Sequence, residues 1–66
     1  MQPNKKYIID LIHKSNWSQN KFAMKAGVSK TTISRWVNGK RGAGAELIAG
    51  IIRAFPNEPI NKLFFL

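Results

Sequence analysis

Apolar residues recur along this chain at spacings of three and four, the period of one helix face, and five such stretches predict an all-α chain of five helices with no sheet. Ile8, Leu11 and Ile12 mark the first helix, near residues 4 to 15, entered at Pro3-Asn4 and ending at Ser15-Asn16. Tyr7 and Ile9 fall off that stripe, where they cover its margins or meet a partner. Phe22 and Ala26, with Ala23 beside them, mark a second helix near 19 to 26 behind Ser18 as N-cap. Ile33, Trp36 and Val37 mark a third near 30 to 38, where Ser29 is the N-cap and its hydroxyl accepts from the N–H of Thr31 or Thr32. Leu47, Ile48, Ile51, Ile52 and Phe55 form one broad face of a fourth helix, near 44 to 55, which Pro56 and Asn57 stop. After Pro59, Ile60, Leu63 and Phe64 fit a short last helix near 60 to 64 that caps the core.

The connections are as informative as the helices. Gly27 stands where the chain must reverse between the second and third helices, and a residue without a Cβ takes a positive φ there at no steric cost. Val28 plugs the gap between the two helices, and Ala23 is small where they cross closely. Trp17 precedes the Ser18 cap and staples the first helix to the second on the Phe22 side. The polar positions then isolate one surface: Lys30, Thr31, Ser34 and Arg35 lie opposite the apolar face of the third helix. All four can donate hydrogen bonds, and no acid among them offers an internal ion pair.

Gln19, Ala23, Gly27, Val28-Ser29, Ile33 and Trp36 followed by Asn38-Gly39 together resemble the helix-turn-helix domains of the Cro and phage-repressor type, with the motif at about residues 18 to 38 and the likeness running from about 5 to 64. The chain departs from that pattern in Trp36, bulkier than the usual aliphatic residue, and in Gly42-Ala43-Gly44, where a proline is common. The resemblance implies a compact five-helix domain spanning 1 to 66, whose third helix enters the major groove of double-stranded DNA. It puts Lys30, Thr31, Ser34 and Arg35 against base edges. Gln19, Ser29, Thr32 and Asn38 then hold phosphates, supported by Lys40 and Arg41. It further implies a regulator in a phage lysis/lysogeny switch, either a Cro-like repressor or an antirepressor that acts by binding a partner repressor, working in the cytoplasm of a bacterial host.

Charge sharpens this expectation. Eleven Lys and Arg against three Asp and Glu give a formal charge of +8, and no acid lies between Asp10 and Glu46 while seven cations do. Such an uncompensated field repels itself, and a phosphate backbone relieves it. At 44% hydrophobic residues the chain can build a packed core, so disorder is excluded, and with no cysteine that core rests on helix packing alone. No catalytic site, cofactor or metal is expected. His13 is the single histidine and is read as a surface residue, and the acids at 10, 46 and 58 form no pair with catalytic spacing. The loop at 39 to 44 carries Lys40 and Arg41 but lacks the spacing of a nucleotide-phosphate loop. No apolar run is long enough to cross a bilayer, so no membrane partner is expected. The apolar run Leu63, Phe64, Phe65 and Leu66 either folds back onto the core or forms the interface of a homodimer or of a complex with a phage repressor.

Overall fold

A computed structural model describes all 66 residues. The elements in chain order are β1 (Gln2–Pro3), α1 (Lys5–Lys14), α2 (Gln19–Ala26), α3 (Lys30–Val37), α4 (Ala45–Ala54), α5 (Ile60–Leu63) and β2 (Phe64–Phe65). Five helices fall where the apolar spacing places them, each within a residue or so at its ends. The expectation of no sheet needs one correction: β1 and β2 pair antiparallel, Gln2 opposite Phe65 and Pro3 opposite Phe64. The Asn4 N–H extends this contact to the Leu63 carbonyl at 2.8 Å. A ladder two residues long has no periodic signature, because it exists only where the two chain ends meet.

Local chemistry explains where the first three helices begin and end. Asn4, Ser18 and Ser29 each accept from a backbone N–H three residues on, at 3.3, 3.1 and 3.1 Å, and Thr32 is the partner that Ser29 selects. Caps of this kind stabilise a helix by about 1 kcal/mol each. All three helices then finish in one motif, built on a left-handed residue: Asn16 (φ 60), Gly27 (φ 73) and Gly39 (φ 73). Its N–H bonds the carbonyl three residues back and the next N–H reaches five back, as in Gly27 to Met24 at 3.3 Å and Val28 to Ala23 at 3.1 Å. Orphan carbonyls are thereby satisfied at every exit.

Every helix supplies the core. Ile8, Phe22, Ile33, Leu47, Ile51, Leu63 and Phe64 are fully buried, and each such side chain contributes about 1.5–3 kcal/mol by leaving water. No buried polar side chain interrupts them. Trp17 is half-buried and stacks on Phe55 at 5.3 Å between ring centroids, while Phe55 in turn stacks on Phe22 at 5.8 Å. The staple expected on the Phe22 side thus runs through the end of α4.

Two apolar expectations change. On α4 the buried stripe is Leu47, Gly50, Ile51, Ala54 and Phe55, so Ile48 is only half-buried and Ile52 is 38% exposed on its shoulder. Gly50 lets the helices approach: a Cβ there would lie 2.8 Å from the Ala26 carbonyl oxygen of α2. At the C-terminus, Leu63 and Phe64 are buried and cannot form an interface, while Ile60, Phe65 and Leu66 stay exposed. Extended backbone at Phe64 is the reason, since successive side chains of a strand point to opposite faces and Phe64 takes the inner one. Tyr7, off the α1 stripe, donates from its hydroxyl to a Glu58 carboxylate oxygen at 2.5 Å and so ties α1 to the approach to α5. That hydrogen bond, then desolvation and the carboxylate charge, hold the phenol above its ordinary pKa.

Candidate nucleic-acid interface

Two helices and the turn between them carry the surface that the cations single out. Ile33 and Trp36 face inward from α3 and are buried, and the period of 3.6 residues then directs Lys30, Thr31 and Arg35 outward, where all three are exposed. Ser34 is half-buried at the margin of the same face. The four residues expected at base edges therefore share one side of one helix, with none of them held by an acid.

The neighbouring polar residues do different jobs. Ser29 is engaged at the cap: its oxygen accepts from the Thr32 N–H, and its hydroxyl donates to Thr32 Oγ1 at 2.8 Å. In that arrangement the hydroxyl proton left to offer a ligand is that of Thr32, with Ser29 standing behind it. Asn38 donates from its amide to Ser34 Oγ at 3.4 Å, a long contact that orients both side chains. Gln19 is exposed at the start of α2, with its side chain free of any hydrogen bond within the chain.

The loop after α3 divides its two cations. Lys40 gives its backbone N–H to the Arg35 carbonyl at 2.7 Å, which fastens the loop to the last turn of α3. Arg41 instead lies on the wall of a cleft shared with the N-terminal segment, away from the start of α3. Lys30, Thr31, Ser34 and Arg35 thus share one face of α3, Gln19 is exposed at the start of α2, and Arg41 lines a separate cleft.

Three supporting residues escape a reading of the sequence. Arg53, on α4, donates from Nη1 to the Ala26 carbonyl at 2.6 Å and crosses directly over Gly27, where an added Cβ would sit 2.7 Å from the same nitrogen. A guanidinium is thereby placed at the C-terminal end of α2, where carbonyl oxygens gather negative charge. Lys5 lies over the Trp36 ring, its Nζ 5.4 Å from the centroid, and Lys25 lies over Trp17 at 5.8 Å. Arg53 and Lys5 meet partners 27 and 31 residues away, which no local pattern reports.

Nothing in this surface gathers a metal site, since no three His, Cys, Asp or Glu side chains come together, and His13 is exposed. No helix is long and apolar enough to cross a membrane.

Comparison with known proteins agrees with this geometry. The helix-turn-helix family pattern matches residues 8–63. Over 65 residues, 98% of this chain and 83% of the relative, the sequence is 31% identical to YvzC of Bacillus subtilis (strain 168), an uncharacterized HTH-type transcriptional regulator. No solved structure gives a significant match. With the motif's caps, turn and buried face all in place over most of its length, the chain belongs to the helix-turn-helix family of DNA-binding transcriptional regulators.

Proposed function

We propose that this protein binds duplex DNA in a sequence-dependent way through α3 and serves as the Cro-like repressor of a phage switch. The observation that carries the DNA reading is the outer face of α3: Lys30, Thr31 and Arg35 are exposed together, with no acid between Asp10 and Glu46 to answer them. Lys30 and Arg35 present donors suited to guanine O6 and N7, and the Thr31 methyl suits a thymine methyl. Gln19, Thr32, Asn38, Lys40 and Arg41 hold phosphates at the margins, with Ser29 orienting Thr32. The placement in a phage switch rests on the resemblance to Cro-type domains.

Exposed apolar surface favours a second reading, an antirepressor that captures a repressor protein. Phe65 and Leu66 are 63% and 83% exposed, and Met1 is 64% exposed. This reading keeps the fold and moves the binding surface to the chain ends.

One pair of variants separates reading from holding. Arg35→Ala should cost about 1–3 kcal/mol at a selected site and flatten the preference between bases at one position. Lys40→Ala should weaken every sequence alike and lower the salt slope by about one. For the wild type, about five or six neutralised phosphates at roughly 0.9 each give a slope of log K against log salt near −5. If the slope is near zero, and Phe65→Ser/Leu66→Ser abolishes capture of a repressor while Arg35→Ala does not, the antirepressor reading replaces this one.

A further inference from the structure

The cleft that Arg41 enters includes none of the residues on the outer face of α3. About 500 Å³ in volume, it opens between the N-terminal segment, the loop after α3 and the outer face of β2. Lys5, Lys6 and Arg41 line it, no acid does, and the side chain of Asn4 accepts from the Tyr7 N–H with its oxygen, which leaves the amide group to donate. Trp36 forms part of the inner wall and exposed Phe65 part of the rim.

Two features mark this cleft as more than a polar surface. The first turn of α1 contains no acid and carries Lys5 and Lys6, the sign that the positive end of a helix disfavours. Lys5 is also half-buried over the Trp36 ring, so its ammonium is already held in place. Charges that strain the free protein and are ordered in advance are complementary to an anion that arrives later.

We infer that this cleft is a second DNA-backbone site, in which Lys5, Lys6 and Arg41 grip phosphates flanking the groove that α3 reads. The inference rests on the DNA reading above and extends its footprint. Charge and the loop decide the ligand: every charged residue of the lining is a cation, and the Lys40 N–H on the Arg35 carbonyl fastens the loop that carries Arg41 to the last turn of α3, so the strand flanking the groove that α3 reads is the polyanion nearest to it. The exposed Phe65 ring offers an apolar surface to the sugar between two phosphates. A free phosphate or nucleotide shares the same chemistry and is the alternative source.

The test compares wild type, Lys6→Gln and the double variant Lys5→Gln/Lys6→Gln. A control, Lys14→Gln/Lys62→Gln, removes the same two charges from exposed positions outside the cleft. Binding is measured against salt on a selected site in a duplex of about three helical turns, and on one trimmed to the turn beneath α3. Lys6→Gln should lower the salt slope by about 0.9 on the long duplex, equivalent to roughly eightfold weaker binding at 0.1 M salt, and the double variant should show twice that slope change. Both should leave base preference intact and match wild type on the trimmed duplex, and the control should move neither slope. Lys6→Gln keeps the test decisive if loss of the Lys5–Trp36 contact disturbs folding, which helicity reports.

Wild-type slopes in both variants, beside salt-dependent binding by the wild type, would overturn the cleft and leave the DNA reading standing. No salt-dependent duplex binding by the wild type would overturn both. Titration of the wild type with inorganic phosphate, followed at the Lys5, Lys6 and Arg41 amides, supplies the last arm. Saturation there, with duplex binding indifferent to Lys5 and Lys6, would replace the backbone site with one for small anions.

Discussion

Gly27 and Gly39 hold the same backbone conformation, φ 73 in each, and end successive helices in the same capping motif, yet their surroundings differ completely. An added Cβ at Gly27 would sit 2.7 Å from Arg53 Nη1, so the guanidinium would have to move off its partner, whereas nothing lies within 4 Å of the corresponding point at Gly39. The turn between α2 and α3 is therefore gripped from α4, while the exit from α3 is open. This difference fits two tasks. The angle of α3 against α2 must be fixed if its outer face is to meet base edges in register, since side chains misplaced by an ångström lose their partners. In the proposed DNA reading, the exit has only to deliver Lys40 and Arg41 to a backbone that carries charge along its whole length.

The largest expected effect tests the grip directly. Gly27→Ala forces a side chain into left-handed backbone, which costs about 1 kcal/mol as at Gly39, and displaces a charge-assisted hydrogen bond worth about 1.5–3 kcal/mol where it is shielded. Arg53 is exposed and its guanidinium can move aside, so the second contribution is much reduced and a total of about 1–2 kcal/mol is expected, read as a fall of roughly 4–8 °C in Tm per kcal/mol. In an Arg53→Met background the steric part should shrink, and the two substitutions should cost less together than the sum of each alone. Strict additivity would mean that Arg53 does not hold the turn.

A smaller effect is expected at the exit. Gly39→Ala meets open space and bears only the backbone strain, so about 1 kcal/mol is expected, with base preference unchanged. Thermal melts of the two alanine variants side by side decide the comparison. Equal losses would show that backbone conformation alone governs both sites.

The contrast also shows what a sequence reveals and what it conceals. The helices, the serine caps and the glycine of the turn were legible because each is written within four or five neighbouring residues. So was the outer face of α3, since burying Ile33 and Trp36 leaves Lys30, Thr31 and Arg35 one direction to point. Arg53 was not legible. Its partner is the Ala26 carbonyl, which has no residue identity to betray it, and its own position looks like the usual cation near a helix end. The C-terminal run stayed open between core and interface for a different reason: Leu63, Phe64, Phe65 and Leu66 are equally apolar, and the split between buried and exposed follows from a change of backbone period at Phe64 that composition does not record. Lys5 and Lys6 carried no local signal, since only the fold sets them around one cleft with Arg41.

Asn16 supplies the smallest prediction and the most discriminating one, because it occupies the third copy of the same motif with a side chain in place of hydrogen. Its φ is 60, and its N–H reaches the His13 carbonyl at 3.0 Å while Trp17 reaches Ile12 at 3.0 Å, so the local geometry matches that of the two glycines. Asparagine tolerates this region better than most residues but still bears some strain. Asn16→Gly removes that strain and at the same time loosens the unfolded chain, and the two effects oppose each other. A net gain of about 0.5 kcal/mol or less is expected, whereas Asn16→Ala should lose about 1 kcal/mol. The side chain is exposed, so neither change disturbs packing. Denaturant melts of both variants give the backbone contribution free of any neighbour, and subtracting it from the Gly27→Ala loss isolates what Arg53 adds. Should Asn16→Ala prove as costly as Gly27→Ala, the grip on the turn would contribute nothing beyond local strain, and the angle of α3 would have to be set by the buried face of Ile33 and Trp36 alone.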